Sequence, residues 1–420
     1  HCYNVKSNYT SSAFRSYDVW YANYKWIANV NYIIDAEPEM AGTEADVAYV
    51  AGQAYAIRAL CYLNLATWFS RAPYNSLTGA SRWNEPCVPV YTTGTSIDTG
   101  GQPRESLRTV YGRIDQDIDR AIELLEKARE TTLAENNKSH INLYVALGIK
   151  SRACLAEGDW DGAFKAAKRV IDEGGYAVGT KSDLTGGMNS LDKQNVMWGA
   201  GIQVADQAGG YAGFFTHMDN KEGAYAKSAP KLISKQLYNR ISATDIRRDW
   251  WDPSDKESPY VSKKFSFANV ASFLGDYIYM RVEEMYFTAA EAALRLDDLK
   301  SARELMNTVM AERDPGYSAN NRSGTLLGAT TTTWTGSFLE NILTHRRIEL
   351  WGEYGRLFDV RRLGQGIDRR TDDGFSEECI SMMNRRNVNI TKADTYDWVL
   401  TIPKAELDAN PNINEEDQNP

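Results

Sequence analysis

The few cysteines of this chain follow no pairing pattern. Cys2, Cys61, Cys87, Cys154 and Cys379 are odd in number, scattered and never in C-x-x-C spacing, which argues against a disulfide framework and against a cysteine zinc site. Four histidines, His1, His140, His217 and His345, fall at no mutual spacing that would gather a metal, so neither a metal nor a cofactor is expected. No apolar run approaches the ~18 residues needed to cross a bilayer. The first residues also lack the basic-then-apolar layout of a signal peptide, so the chain is expected either to work inside the cell or to have lost an export segment. Positive charge is in deficit: 47 Lys and Arg stand against 56 Asp and Glu, a net charge of −9, which argues against nucleic-acid binding and against a basic membrane-binding face. Catalytic signatures are missing too, with no G-x-S-x-G elbow, no H-E-x-x-H and no phosphate-binding G-x-x-x-x-G-K-[ST]. Enzymatic activity is therefore not expected, a helical glycoside hydrolase with two unrecognised carboxylates being the one catalytic alternative.

What is present is aromatic surface and helical period. The chain has 24 Tyr and 11 Trp, residues that fill cores but also stack on sugar rings and grip amphipathic ligands. Tyr17–Ile34 carries Trp20, Tyr24, Ile27, Val30 and Ile34 at helical spacing, and Thr43 followed by Asp46 predicts the cap of a second helix over 44–69. The two should form an antiparallel hairpin, and Cys61 is expected to be a small core residue there, as Cys154 is further on. From 71 to 103 Pro and Gly punctuate a long loop bearing Trp83 and Tyr91, and helix resumes over 104–129. Within it Asp115, Asp117, Asp119 and Glu126 hint at a calcium loop, but the position that needs glycine is Arg120. These acids are expected on a solvated helix face.

The clearest internal echo pairs 142–172 with 281–313. At an offset of 139, Ala153 falls on Ala292, Asp159 on Asp298, Trp160 on Leu299 and Ala163 on Ala302, which resembles tetratricopeptide helix pairs. Separated by a hundred residues, the two copies are not expected to form a continuous solenoid. Between them, 174–279 is richer in Gly and aromatics. Val196–Trp198 predicts a short strand, 203–227 a glycine-hinged loop presenting Tyr211, Phe214, Phe215 and Tyr225, and Trp250 and Trp251 add two more rings. Ligand-binding candidates are thus Trp83, Tyr211, Phe214, Phe215, Trp250 and Trp251.

The stretch 342–364, ILTHRRIELWGEYGRLFDVRRLG, mixes an apolar helical stripe (Leu339, Leu343, Leu350, Tyr354, Leu357) with dense charge. Arginines on such a stripe need carboxylates. Arg346, Arg347, Glu349, Glu353, Arg356 and Asp359 therefore predict a structural ion network that locks the last long helix against the 281–313 pair. The chain is expected to end in a short strand from Asp397, an Ile-Pro turn and a helical turn closed by Asn410.

Taken in order, several segments resemble the SusD-like (SusD/RagB) family of outer-membrane nutrient-binding lipoproteins of Bacteroidota. They are the first helix with Trp20, Tyr24, Ile27 and Asn31; AYAIRALCYLNLATWFSRAPY at 54–74; PRESLRTVYGRIDQDIDRAIELL at 103–125; YIYMRVEEMYFTAAEAAL at 277–294; the 342–364 stretch; and LTIPKAELDANPN at 400–412. The resemblance implies a mostly α fold, a single body over 1–420. Tetratricopeptide-like helix pairs (17–69, 104–172, 281–363) would pack against an irregular, loop-rich ligand half with few short strands (71–103, 174–275), followed by a C-terminal segment 364–420. It implies an oligosaccharide or peptide ligand, no reaction, a SusC-like TonB-dependent transporter as partner on the helical side, and a lipid anchor upstream of residue 1 at the outer membrane's extracellular face. His345 stands where glutamate is usual, removing a possible charge partner of Arg346, and Tyr354 where glycine is usual. The competing reading is a soluble tetratricopeptide adaptor.

Overall fold

The computed structural model describes residues 12, 14–131, 133, 137–204, 213–368, 396 and 399–420. Helix α1 (Phe14–Ala36) and α2 (Glu44–Phe69) form the expected hairpin, the Thr43 side chain accepting from the Asp46 amide at 3.2 Å. α3 (Leu107–Lys127), capped by Ser106, lays Val110, Ile114, Ile118 and Leu125 on α2. Approach there is close because of Gly52, where a Cβ would stand 2.9 Å from the Leu125 Cγ. α4 (Leu143–Glu157) and α5 (Trp160–Glu173) follow, then, beyond the irregular segment, α10 (Val282–Arg295), α11 (Leu299–Ala311) and α12 (Phe338–Glu349).

The internal echo is structural. Asp159 caps α5 and Asp298 caps α11, each accepting from an amide three residues on, and the residues before them, Gly158 (φ 77°) and Asp297 (φ 61°), both take the left-handed turn that stops the preceding helix. Contrary to the sequence expectation, the copies adjoin in space: α5 packs directly on α10. Buried alanines line both elements, Ala163, Ala166 and Ala167 on α5 and Ala289, Ala290 and Ala293 on α10, so their backbones come together. The helical layer is thus continuous from α1 to α11 although its chain is interrupted.

The interrupting segment builds short helices α6 (Lys181–Thr185), α7 (Phe214–Met218), α8 (Ala224–Ser228) and α9 (Lys235–Tyr238) and two small antiparallel ribbons. Strand β1 (Val196–Ala200) pairs with β4 (Tyr277–Arg281), which runs straight into α10, and β2 (Trp251–Asp252) pairs with β3 (Val261–Ser262). A second hydrophobic cluster, separate from the helical core, holds Phe215, Trp250, Trp251, Phe265 and Ile348. No helix among the described residues is long and apolar enough to cross a membrane.

Three expectations are corrected. The 342–364 stretch is not one helix. α12 ends at Glu349 and α13 spans Arg356–Arg362, because Gly352 (φ 76°) and Gly355 (φ 124°) turn the chain between them. The acids of α3 are not all solvated: Asp117 is 1% exposed and receives Arg58 at 2.7 and 2.8 Å, and Asp115 lies against Glu157. At the C-terminus residues 399–403 are not a strand. Leu400 donates its amide to the Trp68 carbonyl, and the helix Lys404–Ala409 stops at Asn410, whose side chain reaches the Gln102 carbonyl. Asp397 and Trp398 lie outside the described residues.

Candidate functional site

Between α2, α4, the β1–β4 ribbon and the turn joining α12 to α13 lies a cleft of about 400 Å³, within the range of about 300–1,000 Å³ usual for small-molecule sites. One wall is an aromatic pair. Trp198 and Tyr279, on neighbouring strands, meet edge to face with centroids 5.0 Å apart, the Trp198 Nε1 donating to the Ser139 carbonyl at 3.3 Å. Phe214 and Phe265 form another wall, their rings 5.3 Å apart. Leu60 and Asn64, one turn apart on α2, face them.

The floor is charged but neutralised. Arg152 binds Glu284 through two hydrogen bonds of 2.7 and 2.8 Å, donates to the Tyr279 carbonyl at 2.9 Å, and carries its guanidinium 4.0 Å from the Tyr354 ring centroid. Glu353 accepts from Arg281 at 2.8 and 2.9 Å and from the buried Lys264. Gly352 makes this geometry possible, since a Cβ there would meet Phe265 Cε2 at 2.5 Å. Burial raises the Tyr279 and Tyr354 hydroxyls above their ordinary value, so both are neutral hydrogen-bonding groups at physiological pH. Among the described residues the Asn64 amide and the Tyr279 hydroxyl have no protein partner.

Beneath the cleft lie two sets of buried ion pairs. Glu349, fully buried, accepts from Arg313 (3.0 Å twice), Arg281 (3.0 Å) and Arg247 (3.2 Å). Burial alone would raise its carboxyl, but Arg313, Arg281 and Arg247 hold it well below the usual range. Glu283 bridges Arg281 and Arg313, and Asp245 holds Arg247. In the second set Asp359 joins Arg346 (2.9 Å) to Arg362 (2.8 Å), and Arg362 reaches Glu291 on α10 at 2.8 Å. Of the six charged residues singled out in sequence, Arg346, Glu349, Glu353 and Asp359 make these pairs. Arg347 is half-buried and donates to the Thr331 carbonyl, and Arg356 contributes more weakly to lowering the Asp359 carboxyl. His345 does not bear on Arg346; its Nδ1 accepts from Arg247 at 2.8 Å.

Among the described residues, Phe214 alone of the nominated aromatics lines the cleft. Phe215 is 2% exposed behind it, and Trp250 and Trp251, 2% and 1% exposed, are core rings, Trp250 Nε1 donating to the Leu184 carbonyl. The adjacent Trp250 and Trp251 are both enclosed because the chain passes from a 3₁₀ turn into β2 inside the second cluster. Trp83 stands edge-on to Tyr111 at 5.7 Å and pins the 71–103 loop to α3, away from the cleft. Tyr211 lies outside the described residues. Trp198, Tyr279 and Tyr354 were missed as site residues. The alternation Tyr277-Ile278-Tyr279 was a signal for one face of a strand, but its pairing with β1, some 80 residues earlier, was not.

The architecture is a helical layer of repeated pairs holding an irregular, aromatic-lined half. The sequence model of the SusD family matches residues 220–420, and a second model, described as starch-binding and associating with the outer membrane, matches residues 2–155. The chain belongs to the SusD-like family. Among solved structures it is similar to a SusD-like carbohydrate-binding protein from Bacteroides vulgatus, with 26% identity and a TM-score of 0.73 over 95% of this chain and 83% of that one. A SusD superfamily protein from Bacteroides thetaiotaomicron is 22% identical, TM-score 0.75, over 96% and 85%. Surface glycan-binding protein A from Bacteroides uniformis shares the fold at 17% identity, TM-score 0.65, over 96% and 84%. No curated protein sequence matches the chain.

Proposed function

We propose that the protein binds a nutrient oligosaccharide in the Trp198–Tyr279 cleft, without transforming it, and delivers it to a SusC-like TonB-dependent transporter at the extracellular face of the outer membrane, where a lipid holds it. The observation that carries the reading is the cleft itself. Half-buried Trp198 and Phe214 and the exposed Tyr279 offer apolar ring surface to sugar C–H groups, while Asn64 and the Tyr279 hydroxyl are left to meet ligand hydroxyls. The relatives point the same way, since one is a carbohydrate-binding protein and another a surface glycan-binding protein. The transporter-facing surface would include the outer face of α1, where Tyr17, Tyr21, Trp26, Tyr32 and Ile33 are 36–56% exposed, an apolar patch of the kind that protein partners cover.

A glycan array followed by calorimetry on the best hit tests the binding. Trp198→Ala and Tyr279→Ala should each weaken it about tenfold, the loss of one stacking face. Affinity unchanged in both variants would place the ligand elsewhere. Co-purification with a TonB-dependent transporter encoded beside the gene tests delivery, and Trp26→Asp on α1 should reduce recovery of the complex.

A further inference from the structure

We infer that the cleft is selective for uncharged sugar units and excludes anionic ones such as uronates or sulfated rings, an inference that rests on the oligosaccharide reading above. Each charged side chain lining the cleft is already committed. Arg152 gives two hydrogen bonds to Glu284, a third to the Tyr279 carbonyl, and its π-contact to Tyr354. Glu353 is saturated by Arg281 and Lys264. A ligand carboxylate could recruit Arg152 only by stripping Glu284, which is 2% exposed and would be left as a charge with a weakened partner in the protein interior. Unrecruited, that carboxylate would lose water against Trp198, Phe214 and Phe265 with no counter-ion to replace it.

The groups that remain are of the opposite kind. The Asn64 amide supplies a donor and an acceptor, and the Tyr279 hydroxyl supplies both in one atom, matching the dual character of sugar hydroxyls. Charge further out reinforces the choice. The net charge of −9 disfavours approach of polyanions.

Calorimetry with the neutral oligosaccharide that binds best, and with the same oligosaccharide oxidised at C6 to the uronate, tests the inference. The oxidised form should bind about tenfold more weakly or worse. Asn64→Lys, which places an uncommitted cation on the α2 wall, should narrow or invert that ratio while its circular dichroism and melting temperature stay those of the parent. Equal or tighter binding of the uronate by the parent would overturn the selectivity and leave the site intact if Trp198→Ala still weakens both. A panel in which Trp198→Ala alters no ligand would instead remove the cleft reading, and the selectivity with it.

Discussion

Replacing Glu349 by Gln should be among the most destabilising single changes available to this chain. The side chain is fully buried and four hydrogen bonds from three guanidinium groups converge on its two oxygens. Around it Arg247, Arg281, Arg313 and Lys264 are balanced by Asp245, Glu283, Glu349 and Glu353. Glutamine keeps the shape but deletes the one negative charge that all three arginines share, and it turns an NH₂ toward donors. Breaking a buried pair by removing one partner costs about 3–5 kcal/mol because the other charge stays behind uncompensated. Set against a total stability of about 5–15 kcal/mol, that is a large fraction. At about 2 °C per kcal/mol for a long chain, the melting temperature should fall by about 6–10 °C.

The sign of the pH dependence follows from the same contacts. Arg313, Arg281 and Arg247, against the effect of burial, hold the Glu349 carboxyl well below the ordinary 4.5, so its contribution is complete above that value and is lost as pH falls through the depressed folded value. The gap between parent and E349Q in denaturant midpoints should be widest near neutral pH and close on acidification. Asp161→Asn, which removes the exposed Lys165 partner on α5, should leave the midpoint where it was. A loss below about 1 kcal/mol for E349Q would refute the reasoning, since the three arginines would then have found other partners or water.

Glu157→Gln should act in the opposite sense. Burial and the adjacent Asp115 and Asp159 push the Glu157 carboxyl up to about 9, and burial with Asp119 raises Asp115 to about 6. The native state therefore keeps protons that the unfolded chain releases, so stability declines as pH rises from the ordinary carboxylate range toward about 9. The variant should flatten that decline in urea midpoints, and an unchanged slope would count against a shared proton. His345→Gln should reduce acid sensitivity below about pH 6.5, because burial, then Arg247 and Arg322, keep the native imidazole neutral while the unfolded one protonates; thermal melts across that range check it. Gly352→Ala should cost about 1–2 kcal/mol from its left-handed backbone and more from the Phe265 collision. It should also lower glycan affinity in calorimetry, because both residues line the cleft.

Helix positions and the Thr43 cap were legible because their signals are local: Thr43 and Asp46 lie within one turn. The family was legible for a related reason, as ordered local motifs survive without knowledge of how they pack. What failed to be legible is long-range. Trp250-Trp251 stands among charged residues (Arg247, Arg248, Asp249, Asp252) and Trp198 among apolar ones (Val196, Met197), yet the first two are core and the third lines a cleft. The difference lies in partners from residues 184, 139 and 279, which no window around the tryptophans contains. The same holds for arginine. The 342–364 stretch announces that charges must be paired, but most of the partners, Arg247, Lys264, Arg281, Glu284, Glu291 and Arg313, come from other elements.

Those long-range partners also remove the separation between scaffold and site that the sequence suggests. Arg152 sits on a scaffold helix, Glu353 in the charged stretch, and both line the cleft. Glu353 shares Arg281 with Glu349, and Arg152 shares Glu284 with Arg346. The ion pairs that fix α12 against α10 therefore also fix the floor on which Tyr354 stands, and Tyr354 occupies the Arg152 face that a smaller residue would leave open to ligand. Tyr354→Gly, which removes a ring packed on Arg152 and Phe358, should lower stability but less than E349Q does, while exposing the Arg152 guanidinium, and binding of C6-oxidised oligosaccharides should rise relative to neutral ones. A Tyr354→Gly protein that melts as low as E349Q would show instead that the ring is part of the core and that the floor has no independent role.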